Sequence, residues 1–290
     1  VFNPLASVRF RRWGQWFRLT APATPNDGLW LRVSTTVAPS TTVITLDAST
    51  PCSVASATAL CKVATSRLFN GTTLRSFTME KAFNDVTQIF AFKGMYPSKF
   101  STSFASGQLT EGTFSFIGKN ATRGTSTTLP GTTAASQTYE IQNAVTGVGH
   151  IWEAGVPLTS TFIKSMSMDL DSGLRAQDAI GNLGMIGAGI GTFMAKGSIE
   201  LYFADGTMYD KFLNDTFTSI ILSTEDAAGN GYVFTFPRVM LTSGKIEAGS
   251  KDQDLMASFE WQAYSDKANA TAALRHTMFI DRLGAAVVAI

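Results

Sequence analysis

Charge is scarce in this chain. Only 16% of its 290 residues are Asp, Glu, Lys or Arg, and 23 basic residues against 22 acidic ones leave a net charge of +1. That balance argues against a protein that grips nucleic acid, because such affinity grows with each phosphate a Lys or Arg neutralises. A surface so poor in charge suits cover by partner subunits. Cysteine is as rare: Cys52 and Cys61 share one Ala/Ser/Thr-rich segment. They make no disulfide framework and are expected to stay reduced and inert. His150 and His276 are the only histidines, and neither has a Cys, His or carboxylate at metal-ligand spacing, so no metal site is expected. No apolar run reaches the roughly eighteen residues of a membrane-spanning helix. The start, Val1-Phe2-Asn3-Pro4, lacks the apolar region of a secretory signal, and the expectation is a chain made and kept in a cytoplasm.

Motifs of chemistry are missing too. There is neither a G-x-S-x-G elbow nor an H-E-x-x-H helix. Gly184, Gly187, Gly189 and Gly191 invite a dinucleotide-loop reading, but Thr192 stands where the third glycine belongs. The polar residues 174–182 before them are no buried strand, so a flexible loop between strands is expected. Glu247, Asp252 and Asp254 read as a solvated acidic loop. No enzyme activity and no cofactor are expected.

What is present is period-two alternation, the mark of strands with one apolar face. Phe77 and Met79 alternate with Thr78 and Glu80, and Phe100, Thr102 and Phe104 alternate with Ser101 and Ser103. Met166, Met168 and Leu170 alternate with Ser165, Ser167 and Asp169, and Ile199, Leu201 and Phe203 with Glu200 and Tyr202. Asn230-Gly231 marks a hairpin turn, with Val86-Thr87 in the corresponding place of the first half. Helix is confined to a segment starting at Thr207, with Asp210 completing a capping box, Met208 and Phe212 as an apolar pair and Asn214 at its end. A second turn or two is expected at 268–273.

The alternating segments recur. Ser76-Phe77-Thr78-Met79 is answered by Ser219-Ile220-Ile221-Leu222, Phe90-Ala91-Phe92 by Phe234-Thr235-Phe236, and Phe114-Ser115-Phe116 by Phe259-Glu260-Trp261, at offsets of 143, 144 and 145 residues. One spacing near half the length predicts two tandem copies of a mainly β fold, 1–150 and 151–290. The boundary falls near 147–157 and a small β insertion near 38–65. One basic and aromatic cluster stands out: Arg9, Arg11, Arg12, Trp13, Trp16 and Arg18. It reads as an arm packing its aromatics on a neighbouring domain rather than as a nucleic-acid patch. The segment from Thr125 to Gln137 is Thr/Ser/Gly/Ala-rich and reads as a loop.

These residues carry a resemblance. Asn70-Gly71-Thr72-Thr73-Leu74-Arg75-Ser76-Phe77-Thr78-Met79-Glu80-Lys81, then Phe92-Lys93-Gly94-Met95 and Gly112-Thr113-Phe114-Ser115-Phe116-Ile117-Gly118-Lys119, resemble the major tail tube proteins of long-tailed (siphovirus-type) bacteriophages, in their duplicated-domain group. Gly197-Ser198-Ile199-Glu200-Leu201-Tyr202-Phe203, Met208-Tyr209-Asp210-Lys211-Phe212 and Tyr232-Val233-Phe234-Thr235-Phe236-Pro237-Arg238 are similar to the same family. The similarity covers 66–120 and 158–264. It implies two β-sandwich or barrel-like domains, each with a short flanking helix, and homotrimeric rings stacked into a tube. It further implies tape measure, tail terminator and baseplate proteins as partners, and DNA passing through the lumen without specific binding. Location in the virion after assembly in the host cytoplasm, with no membrane contact, follows from the same likeness. Candidate contacts between rings are Arg9, Arg11, Arg12, Trp13, Trp16, Thr125, Gln137, Gly187, Gly189 and Gly191. A distal tail or baseplate ring protein, or the tube of a phage-derived particle, built on the same fold, is the alternative. An outer-membrane β-barrel fits less well, since it calls for a signal peptide and a continuous lipid-facing apolar band.

Overall fold

A computed structural model describes residues 12–20, 28–39, 44–47, 60–131, 135, 148–158, 162–204, 206–226, 229–248, 251 and 253–289. β1 (Trp16–Thr20), β2 (Trp30–Arg32) and β3 (Leu60–Phe69) come first, then β4 (Phe77–Phe83), β5 (Gln88–Ala105), β6 (Glu111–Ile117) and β7 (Asn120–Gly124). β8 (Val148–Glu153), β9 (Val156–Pro157), β10 (Ile163–Asp171), β11 (Arg175–Gln177), β12 (Gly187–Gly189) and β13 (Met194–Tyr202) follow. The single α-helix among the described residues, α1 (Thr207–Leu213), precedes β14 (Thr218–Glu225), β15 (Gly231–Glu247), β16 (Met256–Ala263) and β17 (Phe279–Ala289). The fold is mainly β, as the alternation predicts, and every strand pair among the described residues is antiparallel.

Two long strands organise it. The first part of β5 pairs with β4 and its second part with β10, while β6 and then β7 run along its other edge. The first part of β15 lies between β14 and β17, and its second part pairs with β16. Each recurring sequence pair therefore occupies matching places: β4 and β14, β5 and β15, β6 and β16.

β15 crosses between two layers. One layer runs β15–β16–β13–β10–β5–β6, using residues 239–247 of β15 and 96–105 of β5. The other runs β8–β14–β15–β17–β3–β1–β2, using 231–239 of β15. Met166, Met168, Leu170, Ile199, Phe259 and Trp261 of the first layer meet Ile220, Leu222, Phe234 and Phe236 of the second in one core. Gly197 belongs to that packing, since a Cβ there would sit 2.0 Å from the Ser167 carbonyl oxygen and 2.8 Å from Trp261. Trp16, Trp30 and Trp152 form a second cluster with Ile221, Val233 and Leu283, and Trp16 and Trp152 stand 4.9 Å apart.

A buried ion pair joins the halves of the chain. Arg67 on β3 donates from Nε to Asp281 Oδ1 on β17 at 2.7 Å and from Nη2 to Oδ2 at 2.6 Å. It also donates to the carbonyls of Trp13 and Gly14. Burial pushes the Asp281 carboxyl up, and the bonds from Arg67 pull it back.

Three expectations are corrected. The helix starts at Thr207 and ends at Asn214 as expected, but Gly206, not Thr207, is its N-cap residue, and the Asp210 amide bonds the Gly206 carbonyl at 2.8 Å. The turn expected at 268–273 is a 3-10 turn at Ala272–Leu274, because Asn269 and its neighbours are engaged with Asp266, Thr271 and Arg275. The glycine run is half of a hairpin rather than a loop: β12 pairs with β11, where glycines let Gln177 and Arg175 lie close. Of the insertion expected at 38–65, residues 38–39, 44–47 (with the Val33–Leu46 bridge) and the start of β3 are described, and 40–43 and 48–59 lie outside the described residues.

The two long hairpins differ in cover. β16 alternates buried and exposed residues, whereas most of β6 is exposed. Phe259 is 1% exposed and its counterpart Phe114 is 61% exposed. Phe259→Ala is expected to cost the isolated chain about 3–5 kcal/mol in denaturant unfolding, and Phe114→Ala less than about 1 kcal/mol. Arg67→Ala, which strands a buried carboxylate, is expected to cost about 3–5 kcal/mol by the same measurement.

Candidate assembly surfaces

The six-stranded layer has one apolar face in the core and one polar face outside. Ser101, Ser103, Ser165, Ser167, Ser198 and Ser258 stand on the polar side, where the alternation places them opposite the buried Met and Phe residues. The charged residues of these strands on that side are Glu111, Asp169, Asp171, Glu200, Glu247 and Glu260 against Lys99, Lys164, Lys196 and Lys245. The face is thus hydroxyl-rich with a surplus of carboxylates.

Short bonds fix it. Ser167 and Ser198 hydroxyls lie 2.8 Å apart across the β10–β13 pair, and Ser165 donates to Glu200 at 3.1 Å. Lys164 bonds Glu200 at 3.0 Å, which holds the Glu200 carboxyl below and the Lys164 ammonium above their ordinary ranges. The Gly173 amide, and then Lys99 at 3.0 Å, hold the Asp171 carboxyl low. These carboxylates stay ionised at neutral pH.

The layer ends in two strands that lack a neighbour. Among the described residues, β6 pairs only with β5, and residues 240–247 of β15 pair only with β16. Six strands in antiparallel alternation make the two end strands run in opposite directions. Backbone donors and acceptors on such edges are ready to extend a ladder.

Hairpin β11–β12 joins β10 to β13 at the Asp171–Met194 end of the layer, and its connecting segment lies against the β6–β7 turn, where a Cβ on Gly184 would sit 1.9 Å from the Lys119 carbonyl oxygen. That segment carries Ile180 and Leu183, 105% and 109% exposed. Phe162, Tyr202 and Leu255 are exposed at the opposite end, tied together by the bonds from Tyr202 N to the Phe162 carbonyl and from Phe203 N to the Leu255 carbonyl.

The residues singled out in the sequence are scattered over this frame. Gly187 and Gly189 lie in β12, and Gly191 packs against the backbone of Gly173. Arg12 is exposed and Trp13 half-buried, but Trp16 is core, packed on Trp152 of the second half. Thr125 follows β7 in a segment held by Glu80, which accepts bonds from the Thr127 and Thr128 hydroxyls and the Thr128 amide. Those bonds, Thr127's first, hold the Glu80 carboxyl low. Arg9, Arg11 and Gln137 lie outside the described residues, as do Cys52 and Asp252. His276 stacks 4.4 Å from Phe69. Sequence reading missed the open edges and the apolar tip. Ile180 and Leu183 stood as two aliphatics between polar and glycine-rich stretches, a signal that the attention to glycines passed over.

A comparison with curated proteins gives no match. Residues 17–263 match the model of a family described as phage tail tube protein, a span that takes in the layer, both open edges and the β11–β12 hairpin. The chain belongs to the phage tail tube protein family, a structural component of the virion tail.

Proposed function

We propose that this chain polymerises as stacked rings into the tail tube through which phage DNA is ejected. The observation that carries the reading is the six-stranded layer with a polar, carboxylate-rich face and two open edges of opposite direction. A head-to-tail neighbour continues the antiparallel ladder from β15 of one chain to β6 of the next, and repetition with rotation closes a ring. The polar face then lines the lumen. Its surplus of carboxylates repels phosphate, and its hydroxyls offer no cationic hold.

The matching places of β4–β7 and β14–β17 support a duplicated fold within one chain. Three chains then supply six copies per ring. Tape measure, tail terminator and baseplate proteins are the partners this role requires, and assembly takes place in the host cytoplasm. Stacking uses the two apolar ends of the layer: Ile180 and Leu183 on one rim meet Phe162, Tyr202 and Leu255 on the other.

Purified protein is expected to form tubes under negative stain, with three chains per ring by mass measurement. Six chains per ring, or a protein that stays monomeric at high concentration, overturns the reading. In tubes, amide exchange at 111–117 and 240–247 is expected to slow relative to the monomer, since ladder bonds protect amides that open edges expose. Ile180→Glu combined with Leu183→Glu is expected to leave rings intact and lower tube yield roughly tenfold or more, because two charges replace the apolar contact. Tubes of ordinary yield from that double variant remove the hairpin from the stacking interface.

A further inference from the structure

An open cavity of about 500 Å³ lies beside β6, between the two layers. Phe100, Phe104, Phe114, Leu170, Phe234 and Ile280 line it, so its surface is overwhelmingly apolar. Phe114 stacks on Phe100 at 4.4 Å but keeps its other side bare. The matching region of the second half is closed by helix α1. There Met208 and Phe212 pack on the core, and a Cβ on Gly244 would meet Phe212 at 2.9 Å and Phe259 at 3.0 Å. Phe259 is sealed where Phe114 is not.

We infer that α1 of the neighbouring chain in the ring is the missing cover of this cavity. The inference rests on the proposed edge-to-edge pairing. α1 lies across the inward face of β15 at Gly244, on the strand that forms the layer's open edge. A β6 strand bonded to that edge stands about 4.8 Å beyond it, one strand spacing. Its inward residues, Gly112 and Phe114, then lie directly beside the helix. Gly112 keeps that wall low, since a Cβ there would press to 2.9 Å from Phe100. The helix offers Leu213, 60% exposed in the single chain, as the side chain left to enter the gap. Each copy thus supplies a closing helix at one end of its layer and an unclosed cavity at the other, a head-to-tail contact that repeats around a ring.

A photo-reactive benzoylphenylalanine at position 213 tests this directly. In tubes, irradiation is expected to join it to a peptide containing 109–116 of another chain, and in monomer no such adduct forms. Phe114→Asp provides a second readout. It is expected to lower the monomer's unfolding midpoint only slightly, because the residue is mostly exposed there, and to lower the assembled fraction roughly tenfold or more. Tubes whose position-213 adduct maps elsewhere, or a Phe114→Asp chain that assembles at ordinary yield, overturn the helix-in-cavity contact while leaving the tube reading intact. An unaltered chain that forms neither rings nor tubes overturns both.

Discussion

The backbone at a sheet edge sets the terms for this molecule. Every non-proline residue carries a donor and an acceptor that must be satisfied by protein or by water. In β5 the problem is solved within the chain: β10 covers the edge of its second part, and β6 the other. In β15 the corresponding edge, at 240–247, has no strand beside it among the described residues. An exposed edge is a hazard for a protein meant to stay monomeric, because it is a template for another chain's strand. Here β15 carries a register shift at Leu241/Ser243 and the charges of Lys245 and Glu247, yet its edge stays unpaired among the described residues, and the proposed role makes the hazard the working surface.

The same constraint explains why cover is so unequal between matching parts of the chain. β14 is buried because β8 pairs with it and the tryptophan cluster packs behind it. β4, in the matching place, is largely exposed, and Phe77 and Phe83 with it. Apolar alternation in sequence records what will be buried in the final assembly, and a single chain need not complete that burial. The exposed phenylalanines on β4 and β6 stand where β14 and β16 carry the buried Ile220, Leu222, Phe259 and Trp261.

Much of the fold was legible for that reason. Alternation at Met166, Met168 and Leu170 named a core face, and each of the three is buried. Asn230 with Gly231 named a hairpin turn that the β14–β15 pair bears out. Pairing order was not legible, because which strand lies beside β10 depends on contacts between residues sixty or more apart, such as Ser165 with Ala105. The cap of α1 was misplaced because Gly206 serves through its carbonyl, a role that any residue can fill and that leaves no side-chain signal. The candidate surfaces were harder still. An open edge is a property of what is absent beside a strand, and no residue type encodes it.

The polar face shows why low net charge and a tube are compatible. The whole chain sits at +1, yet the face proposed for the lumen holds more carboxylates than lysines. Lys164 and Lys99 are each tied to a carboxylate, so their ammonium groups are partly spent on Glu200 and Asp171 before any phosphate arrives. Exposed pairs of this kind add little stability, typically well under about 1 kcal/mol. Their consequence in a lumen is electrostatic: these ammonium groups already have a carboxylate partner, and the face as a whole keeps a surplus of carboxylates. A moving polyanion then meets weak repulsion everywhere and a strong attractive site nowhere, which is the condition for passage without arrest.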